Sequence, residues 1–135
     1  MTYLVDANVI SEPTKQAPNS KVVRWLAKNE ANLLVDSIIL GELRIGILAL
    51  PRGRKRSSLE QWFENVVETI DCLPWDASVC KRWAALVVDL KRRGEIVPLL
   101  DGMIAATALE HGLTVVTRNT RDFRKTGVKT INPFD

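Results

Sequence analysis

The sequence predicts an α/β fold with a parallel sheet covered by helices on both faces. Three observations carry this reading. Short apolar runs suited to buried strands recur at residues 2–5, 32–37, 71–74, 114–117 and 129–132. Between them lie stretches with helical apolar spacing. Polar residues follow the strands rather than interrupting them. Strands buried on both sides read as continuous apolar runs, and alternation with helices gives a parallel sheet.

Taken in order, residues 2–5 form the first strand, and Asn8 to Glu12 form a short helical turn ended by Pro13. Val22, Val23, Trp25 and Leu26 mark an amphipathic helix over 20–29. After the strand at 32–37, Ser37 is the expected N-cap of a helix over 38–50, which Pro51 stops. Residues 58–70 have the clearest helical period: Leu59, Trp62, Phe63, Val66, Val67 and Ile70 share one face. Val79, Trp83, Leu86, Val87 and Leu90 repeat the pattern over 76–93. Pro98 suits the first turn of a helix running to His111, with Gly112 as its C-terminal stop. The four tryptophans fall mostly on these apolar faces and are expected in the core.

Composition bounds the function. The 135 residues, 46% hydrophobic and 26% charged, suit one globular domain over 1–135. No apolar run approaches the roughly 20 residues of a membrane span. No basic segment precedes an apolar one at the N-terminus, so no secretory signal is expected. Cys72, Cys80 and the single His111 are too few and too scattered for a zinc site. The cysteines are expected as reduced thiols, one or both buried, in a cytoplasmic protein. Hydrolysis by a Ser-His or Cys-His pair would rest on His111 alone, at a helix end. The net charge of +3 gives slight support to a nucleic-acid partner.

The chemistry lies in the carboxylates. Ligands of an open parallel sheet bind beyond the C-terminal strand ends. Asp6 and Asn8 follow the first strand; Thr117, Asn119 and Asp122 follow the strand at 114–117. Glu42 and Asp101 interrupt otherwise apolar helices. Each has a plain structural alternative. Asp6 or Asn8 suits a helix cap, Asp101 a helix N-terminus, Glu42 a solvent face, and Asp122 or Asn119 a turn. Together those alternatives require four carboxylates to sit on apolar elements by coincidence.

Two carboxylates ~4 Å apart repel by about 4 kcal/mol at an effective dielectric of 20. A cluster therefore stays ionised only with cations, and otherwise takes up protons. All-oxygen donors select a hard ion, Mg2+ or Mn2+. Such an ion polarises a phosphodiester and acidifies an attacking water.

The stretches "VDANVIS", "SIILGELRIGI" and "PLLDGMIAATALEHGLTVVTRNTRDF" resemble the PIN-domain ribonucleases. The likeness is greatest to the VapC toxins of toxin–antitoxin pairs and their FitB-like relatives. The resemblance spans essentially the whole chain. It implies a three-layer α/β/α sandwich and Mg2+- or Mn2+-dependent hydrolysis of single-stranded RNA. By motif, Asp6, Glu42 and Asp101 match the three main acidic positions and Asp122 the fourth. Metal ligation is implied for Asp6, Asp101 and Asp122 (or Asn119), with Glu42 completing the cluster. Asn8, Ser37, Thr117 and Asn119 match the supporting polar residues. The resemblance also implies a homodimer held by a VapB-like antitoxin, through which promoter DNA is bound. Gly102 departs from the helix former expected after the third acid, and Asp36 has no counterpart role.

Basic residues suit a phosphate track. Arg118, Arg121 and Arg124 surround Asp122, and Arg52, Arg54, Lys55 and Arg56 lie between two helices. The run at 91–94 reads more simply as helix C-terminal cations. A haloacid-dehalogenase-type phosphatase would need an acid where Asn8 stands. The remaining rival is a degenerate PIN or receiver-like module that binds metal or RNA without cutting.

Overall fold

A computed structural model describes residues 1–135. Five strands form one sheet: β1 (Tyr3–Val5), β2 (Leu33–Asp36), β3 (Asp71–Leu73), β4 (Thr114–Val116) and β5 (Thr130–Ile131). Their order is β3-β2-β1-β4-β5 and every pairing is parallel. Leu4 pairs with Leu34 on one side and Val115 on the other. Leu4, Val5, Val35, Val115 and Val116 are fully buried, which explains the unbroken apolar character of the central strands.

Seven helices connect them: α1 (Ala7–Ile10), α2 (Ser20–Lys28), α3 (Ser37–Leu48), α4 (Arg54–Thr69), α5 (Ala77–Arg92), α6 (Leu99–His111) and α7 (Thr120–Lys125). The chain steps outward from β1 to β2 and β3, then returns past β1 to β4 and β5. Right-handed crossovers in opposite directions place the helices before β3 on one face and those after it on the other. In the packing α3 meets α4, α5 meets α6 and α6 meets α7, and α3 also meets α6 across the two groups. No helix is long and apolar enough to cross a membrane.

Local differences from the sequence reading have physical causes. α1 ends at Ile10, and Pro13 sits inside a separate 3-10 turn over Glu12–Thr14. α4 begins at Arg54, so most of the basic run belongs to a helix and not to a loop. Its first turn lacks apolar residues and a side-chain cap, and carries cations where the dipole favours acids, which hid it from pattern reading. Asp36, not Ser37, caps α3. α7 was not expected at all. Neither cysteine is buried: Cys72 lies on the edge strand β3 and Cys80 on the outer face of α5. Trp25 and Trp62 pack against the core. Trp75 and Trp83 instead pair edge-to-face with each other, 6.1 Å apart.

The Gly112 stop is as expected, at φ 65°. Gly102 has ordinary helical φ, and a Cβ there meets no atom within 4 Å. Nothing in the structure requires glycine. Gly102→Ala is expected to raise stability by about 0.5–1 kcal/mol, read as a shift in the urea midpoint.

Candidate active site

The strand order reverses between β1 and β4, and a crevice opens beyond their C-terminal ends. Asp6 follows β1 and is 4% exposed. Its backbone N–H reaches the Val116 carbonyl at 2.9 Å, which fixes it against β4. Its Oδ1 accepts from the Ala7 N–H at 2.8 Å, capping α1. Its Oδ2 accepts from Thr117 Oγ1 at 2.7 Å and from Asn8 Nδ2 at 3.2 Å. Asn8 Oδ1 accepts from the Arg118 N–H at 3.1 Å, so the Asn8 amide spans both strand ends. Asp6 thus caps α1 and also faces the cleft. Burial pushes its carboxyl above the usual range, against the pull of the three hydrogen bonds.

Asp101, in the first turn of α6, is half-buried. Asn119 Nδ2 donates to Asp101 Oδ2 at 2.8 Å and to Asp122 Oδ2 at 2.9 Å. The other Asp122 oxygen faces Lys125 Nζ at 3.5 Å. Asp122 therefore has partners at both oxygens and does not line the cleft. The sequence placed Asp122 among the metal ligands; in the structure Asn119 links it to Asp101. Burial, then the Asp6 charge, pushes the Asp101 carboxyl up to about 6, against the Asn119 hydrogen bond.

Glu42 enters from α3. It is not solvent-facing: its Oε1 is buried and has no hydrogen-bond partner. Burial, then the charges of Asp6, Asp101 and Asp36, pushes its carboxyl up to about 7. None of the six ion pairs in the protein involves Asp6, Glu42 or Asp101.

These groups share a cleft of about 420 Å³. Asp6, Asn8, Glu42, Asp101 and Asn119 form its polar side, and Leu43, Ile47, Leu59 and Trp62 its apolar side. Ser37 is exposed and makes no side-chain hydrogen bond in the cap; that role falls to Asp36, whose place the sequence did not reveal. Thr107, which donates to Asp36, was also missed; its only signal was a hydroxyl in an alanine-rich helix.

The donor set fits a hard cation. Every polar group facing the cleft floor is an oxygen donor or a side-chain amide, and one buried carboxylate oxygen lacks a partner. No three carboxylate, histidine or cysteine side chains stand close enough to form an all-protein cage. That arrangement suits Mg2+, which keeps several waters and takes one or two carboxylates.

Among the basic residues, Arg118, Arg121 and Arg124 are exposed on the β4–α7 side, with Arg118 stacked 4.6 Å from the Phe134 ring centroid. Arg52, Arg54 and Lys55 are exposed ahead of and within the start of α4. Arg56 is engaged with Glu60 at 3.3 Å and the Leu50 carbonyl at 3.4 Å.

Residues 3–129 match the PIN domain family. The chain belongs to the PIN-domain family. Among PIN-domain relatives, VapC ribonuclease Y4jK of Sinorhizobium fredii is 35% identical, over 98% of this chain and 97% of its own. Toxin FitB of Neisseria gonorrhoeae is 36% identical, covering 97% of each chain. The structure of FitAB bound to an IR36 DNA fragment superposes with a TM-score of 0.91 at 34% identity, covering 99% of this chain and 96% of the other. The five-stranded parallel sheet is thus that of a PIN domain, as the sequence predicted.

The raised carboxyls give this PIN domain a pH signature. A carboxyl raised by folding binds its proton more tightly in the folded state. Its contribution is full below the unfolded value and is lost as pH rises through the folded one. The metal-free protein is expected to lose thermal stability between pH 3.8 and about 7, with Asp101 contributing from 3.8 up to about 6 and Glu42 from 4.5 up to about 7. Circular-dichroism melts across that range should show the loss. Glu42→Gln should flatten its upper part, and Mn2+ added at pH 7.5 should raise the melting temperature of the unmutated protein.

Proposed function

We propose that this protein is a metal-dependent endoribonuclease toxin that hydrolyses phosphodiester bonds in single-stranded or loop RNA. The observation that carries this reading is the meeting of Asp6, Glu42 and Asp101 at one cleft with no basic side chain to neutralise them. Family membership supports it, as do the relatives named as a ribonuclease and as a toxin. Asp6 and Asp101 would hold Mg2+ or Mn2+, directly or through its waters, with Glu42 beside them, and the ion would supply Lewis acidity toward the phosphate and a more acidic water.

The side chains divide the remaining work. Thr117, Asn8 and the Ala7 N–H aim the Asp6 oxygens. Asn119 aims Asp101 and links it to Asp122. Glu42, on the cleft wall beside Asp6 and Asp101, would accept a proton from the attacking water. In-line attack at phosphorus leaves a 5′-phosphate and a 3′-hydroxyl. Arg121 and Arg124, exposed beside the site, contact RNA phosphates. The proposed protein partner is an antitoxin, with promoter DNA bound through it. That reading is supported by the relative named as a toxin and by the FitAB–DNA structure. The working form is proposed to be a cytoplasmic homodimer.

The test uses purified protein stripped of metal and antitoxin, incubated with total RNA with and without Mg2+ or Mn2+. Cuts with 5′-phosphate ends are expected only with metal. Asp6→Asn should lower cleavage at least about a hundredfold, because even outer-shell partners of a metal cost about 10- to 100-fold when lost. RNA binding without cleavage, by both proteins under every metal, would favour a binding module instead. Separately, the salt dependence of RNA affinity should weaken in the Arg121→Ala, Arg124→Ala double variant. The log–log slope should fall by roughly 1.4, at about 0.7 per single-strand phosphate contact. An unchanged slope would remove these arginines from the RNA path.

A further inference from the structure

Glu42 makes no hydrogen bond through its buried oxygen, so its place in the cleft is set by α3 alone. Asp101 rides on α6. The separation of the two acids therefore depends on how α3 is held against α6. One buried side-chain pair spans that gap. Asp36, at the end of β2, is 1% exposed. Its Oδ1 accepts from the Ile39 N–H at 2.8 Å and caps α3. Its Oδ2 accepts from Thr107 Oγ1 at 2.6 Å, and Thr107 is fully buried in the middle of α6.

Capping alone does not account for this residue. Serine caps a helix as well as aspartate does, without burying a charge. A carboxylate brings a second acceptor oxygen, and here that oxygen holds the neighbouring helix. Resting on the nuclease reading above, we propose that Asp36 and Thr107 are positioning residues: a buried strut that sets the Glu42–Asp101 separation and with it the cleft's grip on a divalent cation.

Four variants test the strut. Thr107→Val keeps the shape and breaks the bond. Thr107→Ser keeps the bond. Asp36→Asn keeps both links, since Oδ1 still caps α3 and Nδ2 donates to Thr107. Val79→Ala, fully buried on α5 away from the cleft, measures simple loss of packing. The readouts are kcat and KM on RNA, and calorimetric affinity for Mn2+ alone. Thr107→Val should lower kcat about ten- to a hundredfold, the range expected when a reacting group is displaced by up to an ångström. Its KM should stay within about twofold, and its Mn2+ affinity should fall about tenfold on the same reasoning. Thr107→Ser and Asp36→Asn should stay within about threefold of the unmutated protein in both readouts, well below that range. Val79→Ala should lower the melting temperature and leave kcat unchanged.

Unaltered kcat and Mn2+ affinity in Thr107→Val overturn the strut. So does an Asp36→Asn loss as large as that of Thr107→Val, which would assign the effect to charge. An equal loss in Val79→Ala would reduce the pair to general stability. If the unmutated protein cuts no RNA, the nuclease reading falls, while Mn2+ affinity still reads the strut.

Discussion

The carboxylate of Asp6, buried at the end of β1, is the constraint around which the site is arranged. A carboxylate in that position is costly unless it is paired or solvated by fixed dipoles. No cation meets it. Three neutral donors do: Thr117, Asn8 and the Ala7 amide. Those donors come from both sides of the strand-order reversal, so the sheet topology itself supplies the solvation. Burial raises both Asp101 and Glu42, and the Asp6 charge raises them further.

The same economy governs the outer part of the site. Asn119 places one amide nitrogen between Asp101 and Asp122 and softens their repulsion without adding a full charge. Lys125 takes the far oxygen of Asp122, on the side away from the cleft. Net negative charge is thereby kept at the floor where Asp6, Glu42 and Asp101 meet. A tightly paired set would have been more stable by itself, and less available to a cation arriving from solution.

Much of this was legible in the sequence. Central strands, helices with a 3.6-residue period, and acids breaking apolar runs all leave strong local marks, so Asp6, Glu42 and Asp101 were found together with the sheet that gathers them. The rest depended on information that spacing does not hold. Ser37 looked like a cap because serine favours that position, yet the residue before it has the better acceptor and takes the role. Asp36 was visibly unusual, but its partner Thr107 lies 71 positions away. Asp122 matched a motif, and only the geometry shows Asn119 and Lys125 occupying it. The early start of α4 and the whole of α7 are polar turns that carry little apolar period.

The hydrogen bond between Thr117 and Asp6 closes a loop of 111 positions, and β1 finds β4 across the same span. Contacts that distant form slowly and only after intervening elements have ordered. A growing chain would therefore carry Asp6 from its first moments outside the ribosome without its Thr117 donor. The strand that completes the cleft emerges near the end of synthesis. Chains cut short before residue 114 would lack Thr117, Asn119 and Asp122 together, leaving β1 with an open edge and Asp6 without its Thr117 donor. Completion of the cleft is thus tied by connectivity to the last strands of the chain.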